Sequence, residues 1–450
     1  MPCPGHPGRA RRGPRRGGAV RDGTIVVAGA SLAGLRGAEA LRDRGFSGRL
    51  ILVGDEPYRP YDRPPLSKHV LTGEVAPGAT TLPGVGRLEA EWRLGTAAAG
   101  LDRAGRALRL ADGTTLPFDR LLIATGARAR PWPKADEARL AGVHTLRGRD
   151  DAAALAADLS ARPGRVLILG AGFIGCEVAS SLRAVGLPVT VADPGPAPLA
   201  RALGTVVGGF VAGRMAAAGV DYRPGTRVTH LEGAGGRVRR ARLEAGGTIQ
   251  ADLVVVALGA LRNTGWLAGA GLDADEGGLS CDGACRVLDA AGRPDDAIFA
   301  AGDVARWPHP LYGGRPVALE HWGNAVAQAA HAARAMLDGP EAAGAYAELP
   351  AFWSSQFGLN IKSLGLIEGA DAVAVAQGSP RTGRFLAVYG RAGRTVAAVS
   401  INAGRWLPAY EAPIRDGAAF PPITGAADQP RLRSLPPGLP GPRGASGARP

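Results

Sequence analysis

Gly29-Ala30-Ser31-Leu32-Ala33-Gly34 and Gly170-Ala171-Gly172-Phe173-Ile174-Gly175 carry the residue types and spacing that can receive a pyrophosphate. In such a turn the first glycine makes a tight bend and the next lets the backbone approach the phosphates. The third lets the following helix pack closely on the strand, and the helix N-terminus faces the negative charge. Each turn follows a short apolar segment (24–28 and 166–169) and is answered by an acid after the next one: Asp55 after 50–53, Asp193 after 189–191. Such an acid can accept hydrogen bonds from ribose hydroxyls. With 68 glycines in 450 residues, about one or two chance matches to a bare pattern are expected. The specificity therefore lies in the strand, helix and acid around each turn. The second unit is the cleaner, since Ser31 stands where the first would have its middle glycine. The reading is two dinucleotides held by one chain; the alternative is βαβ elements that only pack.

The elements that must position these turns repeat. A helix with Leu35, Ala38 and Leu41 on one side follows the first turn, and one carrying Glu177, Val178 and Leu182 follows the second. A later apolar strand in each unit ends on a glycine: Gly126 lies 97 positions after Gly29, and Gly259 lies 89 after Gly170. The chain reads as internally duplicated. A further strand, 297–301, leads into Gly302-Asp303 and has no counterpart in the second unit; if it returns to the first sheet, the second unit is an insertion. An alanine-rich helix over 325–336 precedes two strand-like segments, 385–389 and 395–400, with Gly390 and Gly393 between them, the pattern of a β-hairpin. The expected fold is α/β: two Rossmann-like nucleotide-binding domains of the three-layer ββα type, the second inserted in the first, plus a C-terminal α+β domain. The expected boundaries are 24–145 with 268–340, then 146–267, then 341–425, between disordered tails at 1–22 and 426–450.

Composition narrows the function. No apolar run approaches the roughly 20 residues that cross a bilayer. The Arg pairs at 11–12 and 15–16 are not followed by the hydrophobic segment of an export signal. Of the formal charge of +13, the two tails, 1–22 and 425–450, carry +5 and +3. The remaining +5 is compatible with an acidic protein partner and equally with a solvated basic surface. No specific nucleic-acid partner is expected, though Arg-rich tails leave non-specific binding open. Cys3, Cys176, Cys281 and Cys285 make no disulfide framework and fit a reducing cytoplasm. Cys281 and Cys285 lack the second pair a metal site needs, so no metal is expected.

Further motifs carry a resemblance. Pro60-Tyr61-Asp62-Arg63-Pro64-Pro65-Leu66-Ser67-Lys68, GAGFIGCE from Gly170, Ala300-Ala301-Gly302-Asp303-Val304-Ala305-Arg306, Glu320-His321-Trp322-Gly323-Asn324-Ala325 and Phe352-Trp353-Ser354-Ser355-Gln356-Phe357 occur in order. Together, over about 24–425, the chain resembles the FAD-dependent, NADH-using ferredoxin reductases that serve bacterial oxygenases, the putidaredoxin reductase type. The resemblance implies FAD on the first unit, with Gly29, Ala33 and Gly34 at the pyrophosphate, Asp55 near the adenosine ribose, Lys68 beside the isoalloxazine, Ala98 by its backbone, and Arg147, Asp303 and Trp322 as further contacts. It implies NADH on the second, at Gly170, Gly172, Ile174, Gly175, Asp193 and Gly259, with Glu177 near the nicotinamide and able to pair with Lys68. The stretch 84–94 is shorter than the family pattern and bears on Ala98. Asp193 is followed by Pro194-Gly195-Pro196-Ala197, without an adjacent basic residue for a 2′-phosphate, which favours NADH over NADPH.

The implied activity is transfer of electrons from NADH through FAD to a small acidic iron–sulfur ferredoxin, or a rubredoxin, that supplies an oxygenase. Lys68 and Glu177 are its expected catalytic residues. Trp322 and Trp353 are expected to wall the electron exit, with Arg63, Arg306 and Arg315 adding positive charge at the docking surface. No cysteine lies between Tyr58 and Gly84, which disfavours a disulfide relay. Rival readings are an apoptosis-inducing-factor-like oxidoreductase, an NADH oxidase, and a nucleotide-binding redox sensor without turnover. Oligomeric state stays open.

Overall fold

The computed structural model describes residues 21–422. The tails expected to be disordered lie outside this range, except that residues 21 and 22 are described and the chain is already fastened at Arg21. Its guanidinium pairs with Asp338 at 3.1 Å, and its carbonyl accepts from Ser47 N.

Strand Thr24–Ala28 forms the centre of a six-stranded sheet, with Arg49–Val53 and Glu91–Arg93 on one side and Arg120–Ile123, Pro294–Ala300 and Arg286–Leu288 on the other. All neighbours are parallel except the last pair. A parallel sheet is covered on both faces, which is why these strands read as continuous apolar runs. Helix Leu32–Asp43 buries Leu35, Ala38 and Leu41 completely. It lies beside the long helix Trp322–Asp338, with Gly37 set close against Leu122 and Ala329. Strand Pro294–Ala300 joins this sheet beside Arg120–Ile123, so the chain leaves the first sheet and returns to it.

Between departure and return lies a second, all-parallel sheet of five strands: Asp221–Arg223, Val189–Ala192, Val166–Leu169, Leu253–Val256 and Val143–His144. The expected boundary at 146 is too late, because Val143–His144 already hydrogen-bonds to Leu253–Val256. Each parallel sheet is accompanied by a three-stranded antiparallel meander, Ala98–Asp102 with Ala107–Leu110 and Thr115–Pro117, and Val228–Ala234 with Arg237–Leu243 and Thr248–Gln250. The repetition thus extends to whole layers. Ala127–Ala129 and Ala260–Arg262, the segments just past the two third strands, pair antiparallel and tie the units together.

The C-terminal part is a five-stranded antiparallel sheet in the order Ala351–Gln356, Leu359–Gly365, Arg394–Ile401, Arg384–Arg391, Ala372–Ser379. Its central hairpin turns through Ala392 and Gly393, both at positive φ (49° and 71°), the two-residue geometry whose twist matches the strands. Phe385, Ala387, Tyr389 and Val399 face a core shared with the second unit, while Leu386, Val388 and Ala398 pack on Trp406, Leu407 and Tyr410. Both faces of the hairpin are therefore covered.

Tyr61, Leu66, Val70 and Leu71 belong to the shared core, packed with Leu155, Val178, Leu182, Phe357 and Ile361. The segment that the sequence attaches to the first unit is thus clamped between the second unit and the C-terminal sheet. Leu66→Ala is expected to lower the unfolding free energy by about 2–5 kcal/mol, read from the urea midpoint; an unchanged midpoint would mean that the clamp contributes nothing.

Candidate active site

Both glycine turns leave the carboxyl end of a central strand flanked on either side by a parallel neighbour, the crevice where open α/β sheets bind ligands. Gly29 and Gly170 have φ of +126° and +102°, and a Cβ at either would collide with the carbonyl oxygen of Ala124 or Ala257. At Gly34 and Gly175 a Cβ would lie 1.8 and 2.0 Å from the carbonyl oxygen of Gly29 or Gly170. These four glycines close the turns on themselves. Gly172 is different, since a Cβ there would meet nothing within 4 Å. Its freedom is on the outer side, where a pyrophosphate would come. Gly126 and Gly259, at the ends of the neighbouring strands, are similarly open, and Ile174 is 41% exposed. Neither following helix has an acid in its first turn or a side-chain cap, so the positive end of each dipole faces outward.

The first turn is roofed. A Cβ on Gly302 would lie 2.9 Å from Cβ of Ala33, so the turn holding Asp303 sits directly on the first glycine turn. Asp303 accepts from Arg147 at 2.5 Å, and Arg147 Nε donates to the Ala127 carbonyl at 3.0 Å. His321, at the N-terminus of the long helix, is held neutral by burial, its pKa pushed down to about 4, and its buried Nδ1 has no partner among the described residues. Trp322 Nε1 donates to Asp62 at 2.9 Å. A ribityl hydroxyl chain and a flavin ring fit this set: a carboxylate, a guanidinium, an orphaned imidazole nitrogen and the Trp322 indole. Asp55 is exposed and accepts only from Glu56 N in its own turn, while Ala98 is half-buried at the start of its strand.

On the second turn Asp193 folds back: its two carboxylate oxygens accept from Ala171 N and Gly195 N, each at 2.7 Å. The acid is fixed against the glycine turn with lone pairs to spare. Arg223, beside it in the sheet, is paired with Asp221 at 2.8 Å.

The two units meet at Glu177. Its carboxylate is buried, with 7% of the side chain exposed, yet it has three donors. Lys68 Nζ (2.6 Å) and Ser67 Oγ (2.5 Å) share Oε2, while Ser354 Oγ (2.6 Å) donates to Oε1. Lys68 also donates to the Pro64 carbonyl at 3.1 Å. Glu177, Ser180 and Ser181 share one helix face, as i, i+3 and i+4 must. Ser181 Oγ donates to the Ser67 carbonyl, and Ser180 Oγ accepts from Phe357 N. One helix face thus fastens both the 64–68 segment and the C-terminal sheet. Ser67, Ser180, Ser181 and Ser354 went unread as site residues. The i, i+3, i+4 run of polar residues on an otherwise apolar helix, and the period of two that sets Ser354 inward beside Trp353, were the available signals.

Trp353 is 47% exposed and meets Trp322 edge-on, with ring centroids 5.8 Å apart. The three arginines expected at the docking surface need correction. Arg63 pairs with Glu56 (2.6 Å), Arg306 with Asp275 (3.0 Å) and Arg315 with Glu368 (3.2 Å). Their charge is largely cancelled within the chain. Cys176, Cys281 and Cys285 are free and buried, and burial pushes each thiol up. Among the described residues no three His, Cys, Asp or Glu group as metal ligands, and no helix is long and apolar enough to cross a membrane.

Two glycine turns on duplicated sheets, joined through a buried lysine–glutamate pair, define a two-nucleotide oxidoreductase architecture. Residues 23–329 match the family described as pyridine nucleotide-disulphide oxidoreductase, and 351–436 match that described as reductase C-terminal. The ferredoxin–NAD(+) reductase component of the anthranilate 1,2-dioxygenase system from Burkholderia cepacia is 39% identical over 398 residues, 88% of this chain and 94% of that one. Rhodocoxin reductase from Rhodococcus erythropolis is 37% identical over 85% of this chain and 87% of its own. The crystal structure of the covalent putidaredoxin reductase–putidaredoxin complex superposes with a TM-score of 0.80 at 31% identity, covering 88% of this chain and 93% of that one. The chain belongs to the pyridine nucleotide-disulphide oxidoreductase family, in its branch of ferredoxin reductases.

A pair of variants separates the roles of the glycines. Gly175→Ala forces a backbone clash and is expected to lower the thermal midpoint strongly. Gly172→Ala should change stability by no more than about 0.5 kcal/mol while weakening NAD⁺ binding about tenfold or more, as 1.4 kcal/mol of lost contact requires. Equal thermal losses in the two would sink this assignment.

Proposed function

We propose that this protein is an FAD-dependent NADH:ferredoxin oxidoreductase, passing electrons to a small acidic iron–sulfur ferredoxin, or a rubredoxin, that supplies an oxygenase such as a cytochrome P450 or a ring-hydroxylating dioxygenase. Residues 24–145 with 268–340 hold FAD, 146–267 hold NADH, and 341–425 form the interface domain, apart from the strand shift at Val143 noted above. The observation that carries the reading is the Lys68–Glu177 pair at 2.6 Å, which joins the segment of the FAD unit to the helix of the NADH unit.

When bound, FAD accepts two electrons together from NADH and releases them one at a time. The chain supplies position and charge. Gly29, Ala33 and Gly34, and on the other side Gly170, Gly172, Ile174, Gly175 and Gly259, offer backbone to the two pyrophosphates. Asp55 and Ala98 flank the adenosine end of FAD, and Arg147, Asp303 and Trp322 its flavin end. Lys68 brings a cation whose field favours the negatively charged reduced flavin, and Glu177 holds that ammonium in place and borders the nicotinamide. Asp193 repels a 2′-phosphate, and the pairing of Arg223 with Asp221 leaves that repulsion standing, which supports NADH over NADPH. Burial of Cys176, Cys281 and Cys285 argues against a disulfide relay or a cysteine-dependent oxidase. The exposed Trp353, edge-on to Trp322, supports an aromatic exit to the acceptor. A cytoplasmic location follows from this reading, since NADH and reduced ferredoxin are both cytoplasmic currencies.

Purified protein is expected to be yellow, to bleach on anaerobic NADH titration, and to reduce cytochrome c faster when a two-iron ferredoxin is added. Trp353→Ala should raise the KM for ferredoxin about tenfold, the equivalent of 1.4 kcal/mol, beyond any change it makes with ferricyanide. A colourless polypeptide that takes up no FAD overturns the reading; bleaching without ferredoxin-dependent acceleration points instead to a redox sensor.

A further inference from the structure

The Lys68–Glu177 pair has a third member that none of the expected site residues includes. Strand Ala351–Gln356 alternates in burial, so Trp353 faces outward and its neighbour Ser354 inward, 1% exposed. Ser354 Oγ donates to Glu177 Oε1 at 2.6 Å and accepts from Gln356 Nε2 at 3.2 Å, which orients its single proton toward the carboxylate. Lys68 and Ser67 both bind the other oxygen. Without Ser354, Oε1 would be a buried anionic oxygen short of its donor, and the carboxylate would be free to swing so that both oxygens compete for the Lys68 ammonium.

We propose that Ser354 is a positioning residue of the electron-transfer site, and that through it the C-terminal domain fixes the Glu177 carboxylate and thereby the position of the Lys68 ammonium beside the flavin. The proposal rests on the function proposed above. Hydrogen bonds to ionised groups are stronger than neutral ones, which is enough to select one carboxylate orientation over another. The strand cannot drift to compensate. Its residues pair in register with Leu359–Gly365, and its end is pinned where Phe357 N donates to Ser180 Oγ at 2.7 Å.

The test uses full-length protein loaded with FAD, comparing Ser354→Ala, Ser354→Thr and Ser354→Cys. The readouts are the flavin midpoint potential, the kcat and KM for NADH with ferricyanide as acceptor, and thermal unfolding in parallel. Ser354→Ala is expected to keep its FAD, to show a more negative midpoint potential because Glu177 draws the ammonium from the flavin, and to lose about tenfold in kcat with little change in the KM for NADH. Ser354→Thr, which keeps the hydroxyl, should restore both potential and kcat, whereas Ser354→Cys, close in size but a weak donor, should not. A flavin potential and kcat unchanged in Ser354→Ala, or a cysteine variant equal to wild type, overturns the proposal; the cysteine comparison decides it if the alanine variant does not fold. Failure of the wild type to bind FAD or to be reduced by NADH would instead remove the functional reading itself.

Discussion

A carboxylate taken out of water must be paired and hydrogen-bonded or it will not stay ionised, and in this chain the burial of Glu177 imposes that requirement on three distant stretches at once. Its donors come from positions 67, 68 and 354, and the carboxylate itself from the helix Phe173–Ala184. The same helix face adds neutral hydroxyl bonds, from Ser181 to the 64–68 segment and at Ser180 to the C-terminal strand, so geometry is secured by bonds that carry no charge. Removing one partner of a buried pair of this kind typically costs more than the pair itself contributes, because an uncompensated charge is left behind.

The two glycine turns have one construction and two degrees of enclosure. In both, the outer glycines are packed against carbonyl oxygens and cannot be replaced without moving backbone. Around the first, however, Gly302 lies against Ala33, Asp303 and Arg147 pair overhead, and the helix beginning at Trp322 closes the end. Around the second, Gly172 is open and Ile174 is exposed. That asymmetry arises because the duplicated unit lacks the Gly302-Asp303 strand that returns only to the first sheet.

Local features of this architecture were legible in the amino-acid sequence, and features made by distant contacts were not. The strands, the turns and the duplication depend on residues within a few positions of one another, where glycine, apolar period and a terminal acid carry the information. The boundary near 145 was misread because a two-residue strand has too little pattern to signal itself, and its membership of the second sheet is fixed by Leu253–Val256, more than a hundred positions on. The arginines assigned to the docking surface failed for a related reason. Whether a charge is free depends on which acid folds against it, and Arg315 meets Glu368 across elements that no local pattern connects. Trp353, by contrast, stands out as exposed because the C-terminal sheet covers its hairpin on both faces but leaves the outward side of its edge strand uncovered.

That edge strand places an exposed indole and a buried hydroxyl within a single peptide unit. Adjacent residues of a strand point to opposite faces, so Trp353 is presented outward while Ser354 is presented inward to Glu177. Because the strand is laddered along its length to Leu359–Gly365 and pinned at Phe357, neither side chain can be displaced far without displacing the other. A displacement of the indole is therefore felt at the backbone that sets the carboxylate, and a rearrangement of the carboxylate is felt at the indole. The C-terminal sheet is thus fastened through Ser180 and Glu177 to the helix Phe173–Ala184, so that its outward and inward side chains move together.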